Sequence, residues 1–158
     1  MTTINPYLTF NGTCEEAFNF YKSVFGGEFP YVGKFKDMPE NPEYPVLESE
    51  KDKIMHISLP ISTETVLMGS DSSEAFGHAT VQGNNFSISI NTDSVEEVTR
   101  IYNELSAGGI IKQPLNKTFW GAYFGMFTDK FGIHWMVNCE LPEHKNYEEK
   151  HRKEESAA

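Results

Sequence analysis

The side chains of this 158-residue chain with the means for proton, metal or nucleophile chemistry are five histidines and two cysteines. The histidines are His56, His78, His134, His144 and His151, and none forms an HxH, HxxxH or mixed His/Cys cluster that would build a metal site from sequence neighbours. His144 and His151 stand in a charged C-terminal stretch and His78 in a Gly- and Ser-containing one, so solvated side chains are expected there. His56 and His134 stand in strand-like runs. Imidazole titrates near neutrality, which makes these two the candidates for proton transfer. The plain alternative is a hydrogen-bonded structural histidine. Cys14 opens a helical stretch whose dipole would favour a thiolate, but it has no histidine partner in sequence and lies on an apolar stripe that suggests burial. Asp71 either contacts a polar ligand or caps a turn, the second being the preferred reading.

Aromatic residues supply a different kind of site. Phe119-Trp120-Gly121 precedes a strand at a glycine bend. Indole faces suit planar or apolar ligands and equally suit a core, and the sequence leaves both open for Trp120. Tyr123 and Phe124 follow on the strand; one faces inwards, and alternation alone does not fix which. There is no GxGxxG after a strand, no GxxxxGK[ST] and no GxSxG, so nucleotide-binding and hydrolase readings find no support. A net charge of −10 argues against a nucleic-acid partner. No apolar run approaches membrane-spanning length, and the N-terminus lacks the basic-then-apolar pattern of a signal peptide. With two unclustered cysteines, free thiols and a cytoplasmic location are expected.

The elements that must position these residues occur twice. Pro6 to Asn11 alternates like a strand, Thr13 to Phe25 carries a helical stripe, and Gly26-Gly27 stops it. Phe86 to Asn91, Ser94 to Ala107 and Gly108-Gly109 repeat that order. Overlaid, Thr13 falls on Ser94, Glu16 on Glu97, Tyr21 on Tyr102 and Val24 on Leu105, and both helices open with a capping-box pattern. Three strands are predicted after each helix: Glu28–Lys36, Ile54–Pro60 and Glu64–Ser70, then Ile110–Leu115, Ala122–Thr128 and His134–Glu140. Asp129-Lys130-Phe131-Gly132 suits a type I hairpin turn. The Pro-rich stretch Asp37–Lys53 reads as a solvated loop, with a lid over a cavity as the alternative. The expected organisation is a first βαβββ module (1–71), a linker (72–83), a second module (84–140) and a charged, mobile tail (141–158), forming one α+β domain.

A strand-helix-three-strand unit used twice resembles the vicinal oxygen chelate superfamily of glyoxalase I, bleomycin-resistance proteins and extradiol dioxygenases. The wording is closest to its PhnB-like branch, in Pro6-Tyr7-Leu8-Thr9-Phe10, Met55-His56-Ile57 and Leu67-Met68-Gly69-Ser70-Asp71. Thr118-Phe119-Trp120-Gly121 and Trp135-Met136-Val137-Asn138 carry the strongest part of it. The resemblance spans residues 4 to 140. It implies two modules whose sheets curl around a shared cavity, commonly in a homodimer. In metal-dependent members, that cavity holds a divalent ion on His, Gln or Glu from the first and last strands of each module. By motif those positions fall here on Tyr7 (or Pro6), near Met68, on Ser87 (or Phe86) and on Met136, and neither thioether nor neutral hydroxyl suits a hard or borderline cation. The resemblance thus implies a small-molecule binding protein with no cofactor, holding an apolar or aromatic ligand near Tyr7, His56, Met68, Ser87, Trp120, Tyr123 and Met136. The alternative is an enzyme using His56 or His134, or a rebuilt metal site. PhnB-like sequences often bear a demethylubiquinone methyltransferase label, but no Gly-rich, acid-terminated strand-turn-helix of a doubly wound methyl-donor site occurs here.

Overall fold

A computed structural model describes residues 1–77 and 79–157, with 143–149 described by their backbone alone. The expectations for His78 and for the His144 side chain lie outside the described residues. The chain divides into two compact units, Met1–Gln82 and Gly83–Ala158.

The first unit runs β1 (Tyr7–Phe10), α1 (Cys14–Phe25), β2 (Tyr31–Lys34), β3 (Ile54–Pro60) and β4 (Val66–Asp71). Its sheet has the order β1-β4-β3-β2, with β1 parallel to β4 and the other pairs antiparallel. The second unit runs β5 (Ile88–Thr92), α2 (Val95–Leu105), β6 (Ile110–Lys117), β7 (Ala122–Thr128), β8 (His134–Glu140) and α3 (Pro142–Ala157). Its sheet order, β5-β8-β7-β6, repeats the first. Each unit is therefore the predicted α+β module of strand, helix and three strands.

One helix covers one face of each sheet. The stripe Cys14, Ala17, Phe18, Tyr21 and Val24 on α1 is buried, as are Leu8, Phe10, Ile57, Leu59 and Leu67 on the strands. Fully burying such a side chain contributes about 1.5–3 kcal/mol. Gly69 sits where a Cβ would fall 2.6 Å from the Phe18 ring, so the missing side chain lets α1 settle on the sheet. In the second unit Val98, Ile101 and Leu105 of α2 are buried together with Trp135, Val137 and Phe127. The edge strand β6 is exposed almost throughout, and Pro114 interrupts its capacity to pair outward.

Several local expectations change in three dimensions. The Thr13 capping box does not form; Thr13 makes no side-chain cap, and Asp71 of β4 takes its place. At α2 the cap does form, with Ser94 Oγ accepting the Glu97 N–H at 3.2 Å. β2 begins later than predicted, at Tyr31, and ends earlier, at Lys34, where Asp37 accepts the Lys34 N–H and turns Phe35–Asp37 into a 3-10 turn. The 37–53 segment is anchored rather than simply solvated: Glu50 is 4% exposed and accepts bonds from Ser73 Oγ–H at 2.6 Å and Glu74 N–H at 2.9 Å. The start of the predicted linker is consequently built into the first unit. The charged tail, for which the sequence also allows some helix, contains α3. No helix among the described residues is long and apolar enough to cross a membrane.

Candidate functional site

The face of the first sheet opposite α1 gathers most of the predicted residues of that unit. Tyr7, Met68, Ser58 and Tyr31 lie in register across all four strands. His56, one step along β3, meets both tyrosines: its ring lies 5.6 Å from that of Tyr7, near parallel, and 5.8 Å from that of Tyr31. Nδ1 of His56 stands 3.2 Å from the Tyr7 hydroxyl. Its Nε2 has no hydrogen-bond partner among the described residues. Gly33, paired with His56, leaves the space over which the Tyr31 ring lies.

A cleft of ~380 Å³ opens beside this group. Its lining includes Thr9, Met55 and Ser70 from the strands, with Phe35, Met38 and Phe76 from the segments that follow β2 and β4. Met55 reaches it because the register shifts between Gly33 and Lys34, leaving Met55 as the extra residue of a β-bulge between His56 and the fully buried Ile54. Phe76 stacks on Phe35 (6.0 Å, 12°) and on Tyr44 (5.5 Å, 20°). A larger cleft of ~720 Å³ shares Phe35, Met38 and Phe76 and is walled by the prolines of the loop. The loop thus builds two clefts, although its sequence reads first as solvent-exposed.

Asp71 also borders the smaller cleft but is spent on structure. Its Oδ1 accepts the Gly12 and Cys14 N–H groups at 2.9 and 3.0 Å, and its Oδ2 the Ile54 N–H at 2.9 Å. The capping reading of Asp71 is therefore right in kind, although what it caps is a helix and a strand end rather than a turn. Cys14 is fully buried, and burial, then the Asp71 and Glu15 charges, push its thiol far above its ordinary range. The thiolate alternative does not hold.

In the second unit Met136 lies opposite Ser89, and Ser87 precedes the strand. Ser87 came from the motif match; by strand pairing the counterpart of Tyr7, which faces Met68, is Ser89, two residues further on. Tyr123 is in register with buried Cys139 on the α2 side. Phe124, in register with Asn138, takes the other face and meets Trp120 at 5.9 Å. Trp120 is 44% exposed and Phe119 is 98% exposed. His134 has both ring nitrogens engaged: Nε2 with the Gly83 carbonyl at 2.7 Å, and Nδ1 with Thr128 Oγ1 at 2.8 Å and Lys112 Nζ at 3.4 Å. A donor to Gly83 at Nε2 leaves Nδ1 to accept from Thr128.

These donors do not fit a divalent ion. Around the first sheet they are one imidazole, phenols and a thioether, and no three His, Cys, Asp or Glu side chains converge among the described residues. Sequence reasoning missed Thr9, Met55, Ser70 and Phe76. The prolines of 37–53 and Phe76, the one aromatic residue of the predicted linker, were the available signals for the loop walls; nothing local announces the bulge.

The family model of the Glyoxalase/Bleomycin resistance protein/Dioxygenase superfamily matches residues 3–137. The chain is similar to Protein YjdN of Escherichia coli (strain K12), at 30% identity over 141 residues covering 85% of this chain and 93% of that one. Among solved structures it is similar to protein PA1353 from Pseudomonas aeruginosa, with 45% identity and a TM-score of 0.75 over 89% of this chain and 99% of the other. The PhnB protein from Bacillus cereus, at 24% identity, TM-score 0.69 and coverage of 87% and 99%, shares the fold.

Proposed function

We propose that this chain, which belongs to the Glyoxalase/Bleomycin resistance protein/Dioxygenase superfamily, binds a small apolar or aromatic molecule on the helix-free face of its first sheet. The observation that carries the reading is the ~380 Å³ cleft walled by Phe35 and Phe76, with the Tyr7–His56–Tyr31 group beside it. Its volume is in the range of small-ligand pockets, and stacked aromatic walls favour a flat ligand. No metal or cofactor enters the proposal. A homodimer and a cytoplasmic location belong to the same reading, the latter supported by two free thiols. Light scattering checks the dimer.

Titration with the neutral fluorophore N-phenyl-1-naphthylamine tests the binding. The expected result is saturable enhancement, weakened in Phe76→Ala. Enhancement that never saturates, or that Phe76→Ala leaves unaltered, would remove the support for a site in this cleft.

An enzymatic reading is favoured by one observation. Nδ1 of His56 is beside the Tyr7 hydroxyl while Nε2 is unpartnered among the described residues, an arrangement that leaves one nitrogen for proton transfer. On this reading, turnover of a substrate held at this face falls roughly a hundredfold or more in His56→Ala and survives in His134→Ala.

A further inference from the structure

Thr9 and Ser70 lie directly opposite one another across the parallel β1/β4 pair, and both line the ~380 Å³ cleft. Neither hydroxyl has a hydrogen-bond partner among the described residues. The next two hydroxyls along the chain differ: Ser72 Oγ–H donates to the Phe10 carbonyl at 3.3 Å and Ser73 Oγ–H to Glu50 at 2.6 Å. The cleft therefore holds two adjacent hydroxyls with hydrogen-bonding capacity to spare, on a floor whose walls are aromatic and thioether.

The charges around it are equally selective. No Lys, Arg or His lines the cleft among the described residues. Among the described residues its one charged lining group is the carboxylate of Asp71, held by three backbone N–H donors; the buried Glu50 carboxylate behind Ser73 is met by the Ser73 hydroxyl, the Glu74 N–H and the Lys53 charge. A carboxylate, sulfate or phosphate on a ligand would lose its hydration, meet no cation among the described lining residues, and face Asp71. A neutral hydroxyl can donate to one of the free hydroxyls and accept from the other.

Resting on the binding reading above, we infer that the ligand is an uncharged aromatic or alicyclic alcohol or phenol, its hydroxyl paired with Thr9 and Ser70 and its ring under Phe35 and Phe76. Thr9 and Ser70 are then the residues that set specificity, while the aromatic walls supply most of the affinity.

The test compares 2-naphthol, naphthalene and 2-naphthoate by calorimetry against the native chain and the Thr9→Val/Ser70→Ala double variant. Phe35 and Phe76 ring resonances report whether the cleft is the place of binding. In the native chain 2-naphthol binds about tenfold tighter than naphthalene, the sum of two modest hydrogen bonds, and 2-naphthoate binds more weakly than either. In the double variant the naphthol advantage over naphthalene disappears, while naphthalene still binds and shifts the Phe35 and Phe76 resonances, which also shows that the variant is folded. Naphthoate binding as tightly as naphthol, or a naphthol advantage that survives in the double variant, overturns the inference and leaves the site standing. Failure of all three to bind or to shift the Phe35 and Phe76 resonances overturns both.

Discussion

The carboxylate of Asp71 accepts the backbone N–H of Cys14 at 3.0 Å across a sequence separation of 57 residues, closing the start of α1 from the end of β4. The same side chain takes the N–H groups of Gly12 and Ile54. One buried residue therefore ties the first helix to the β1/β4/β3 core on which the cleft is built. Asp71→Ala strands three donors and is expected to cost about 3 kcal/mol or more of stability, while Asp71→Asn keeps one acceptor oxygen and costs about half as much. Urea unfolding with an unchanged m-value checks both.

Burial, with Asp71 close by, makes Cys14 inert. Its thiol is fully buried and held protonated by burial and by the neighbouring Asp71 and Glu15 carboxylates, and Cys139 is 2% exposed. A disulfide reagent at pH 8 should find no reactive thiol in the native chain and both thiols in denaturant. Rapid native labelling of Cys14 would contradict the structure.

Glu50 gives the first unit an acid-sensitive anchor. Burial pushes its carboxyl upward, but the Ser73 hydroxyl, the Glu74 N–H and the Lys53 charge outweigh this and hold it below its ordinary value of 4.5. A depressed folded-state value means stability that is present above the unfolded value and lost as pH falls through the folded one. The native chain should therefore lose stability below about pH 4.5, and Glu50→Gln should be less stable at pH 7 with a shallower loss in acid. Parallel pH–stability curves for the two proteins would refute the anchor.

Gly69 marks where the helix meets the sheet. A methyl group there falls 2.6 Å from the Phe18 ring and 2.8 Å from the Leu8 carbonyl, and backbone cannot give way. Gly69→Ala should cost about 1–3 kcal/mol through overpacking, and Gly69→Ala/Phe18→Leu should recover part of it. Thermal unfolding of the three proteins distinguishes overpacking from a general loss of strand propensity, which the Phe18 change would not relieve.

The sequence by itself determined the duplicated strand-helix-three-strand units, the buried stripes of α1 and α2, and the limits of β3, β7 and β8, because helical and strand periodicities and glycine stops are local properties. The resemblance named Tyr7, His56 and Met68 together, and strand pairing is what sets them on one face. Only the tertiary structure decided that Asp71 rather than Thr13 caps α1, that a bulge turns Met55 into the cleft, and that Glu50 anchors the loop. It likewise set Ser89 rather than Ser87 opposite Met136 and left Thr9 and Ser70 facing each other with hydroxyls free. Each of these depends on strands or loops far apart in the chain meeting in a particular register. Pairing across such distances is fixed by which surfaces fit when the sheet closes on its helix, and leaves no periodic trace in the residues that take part.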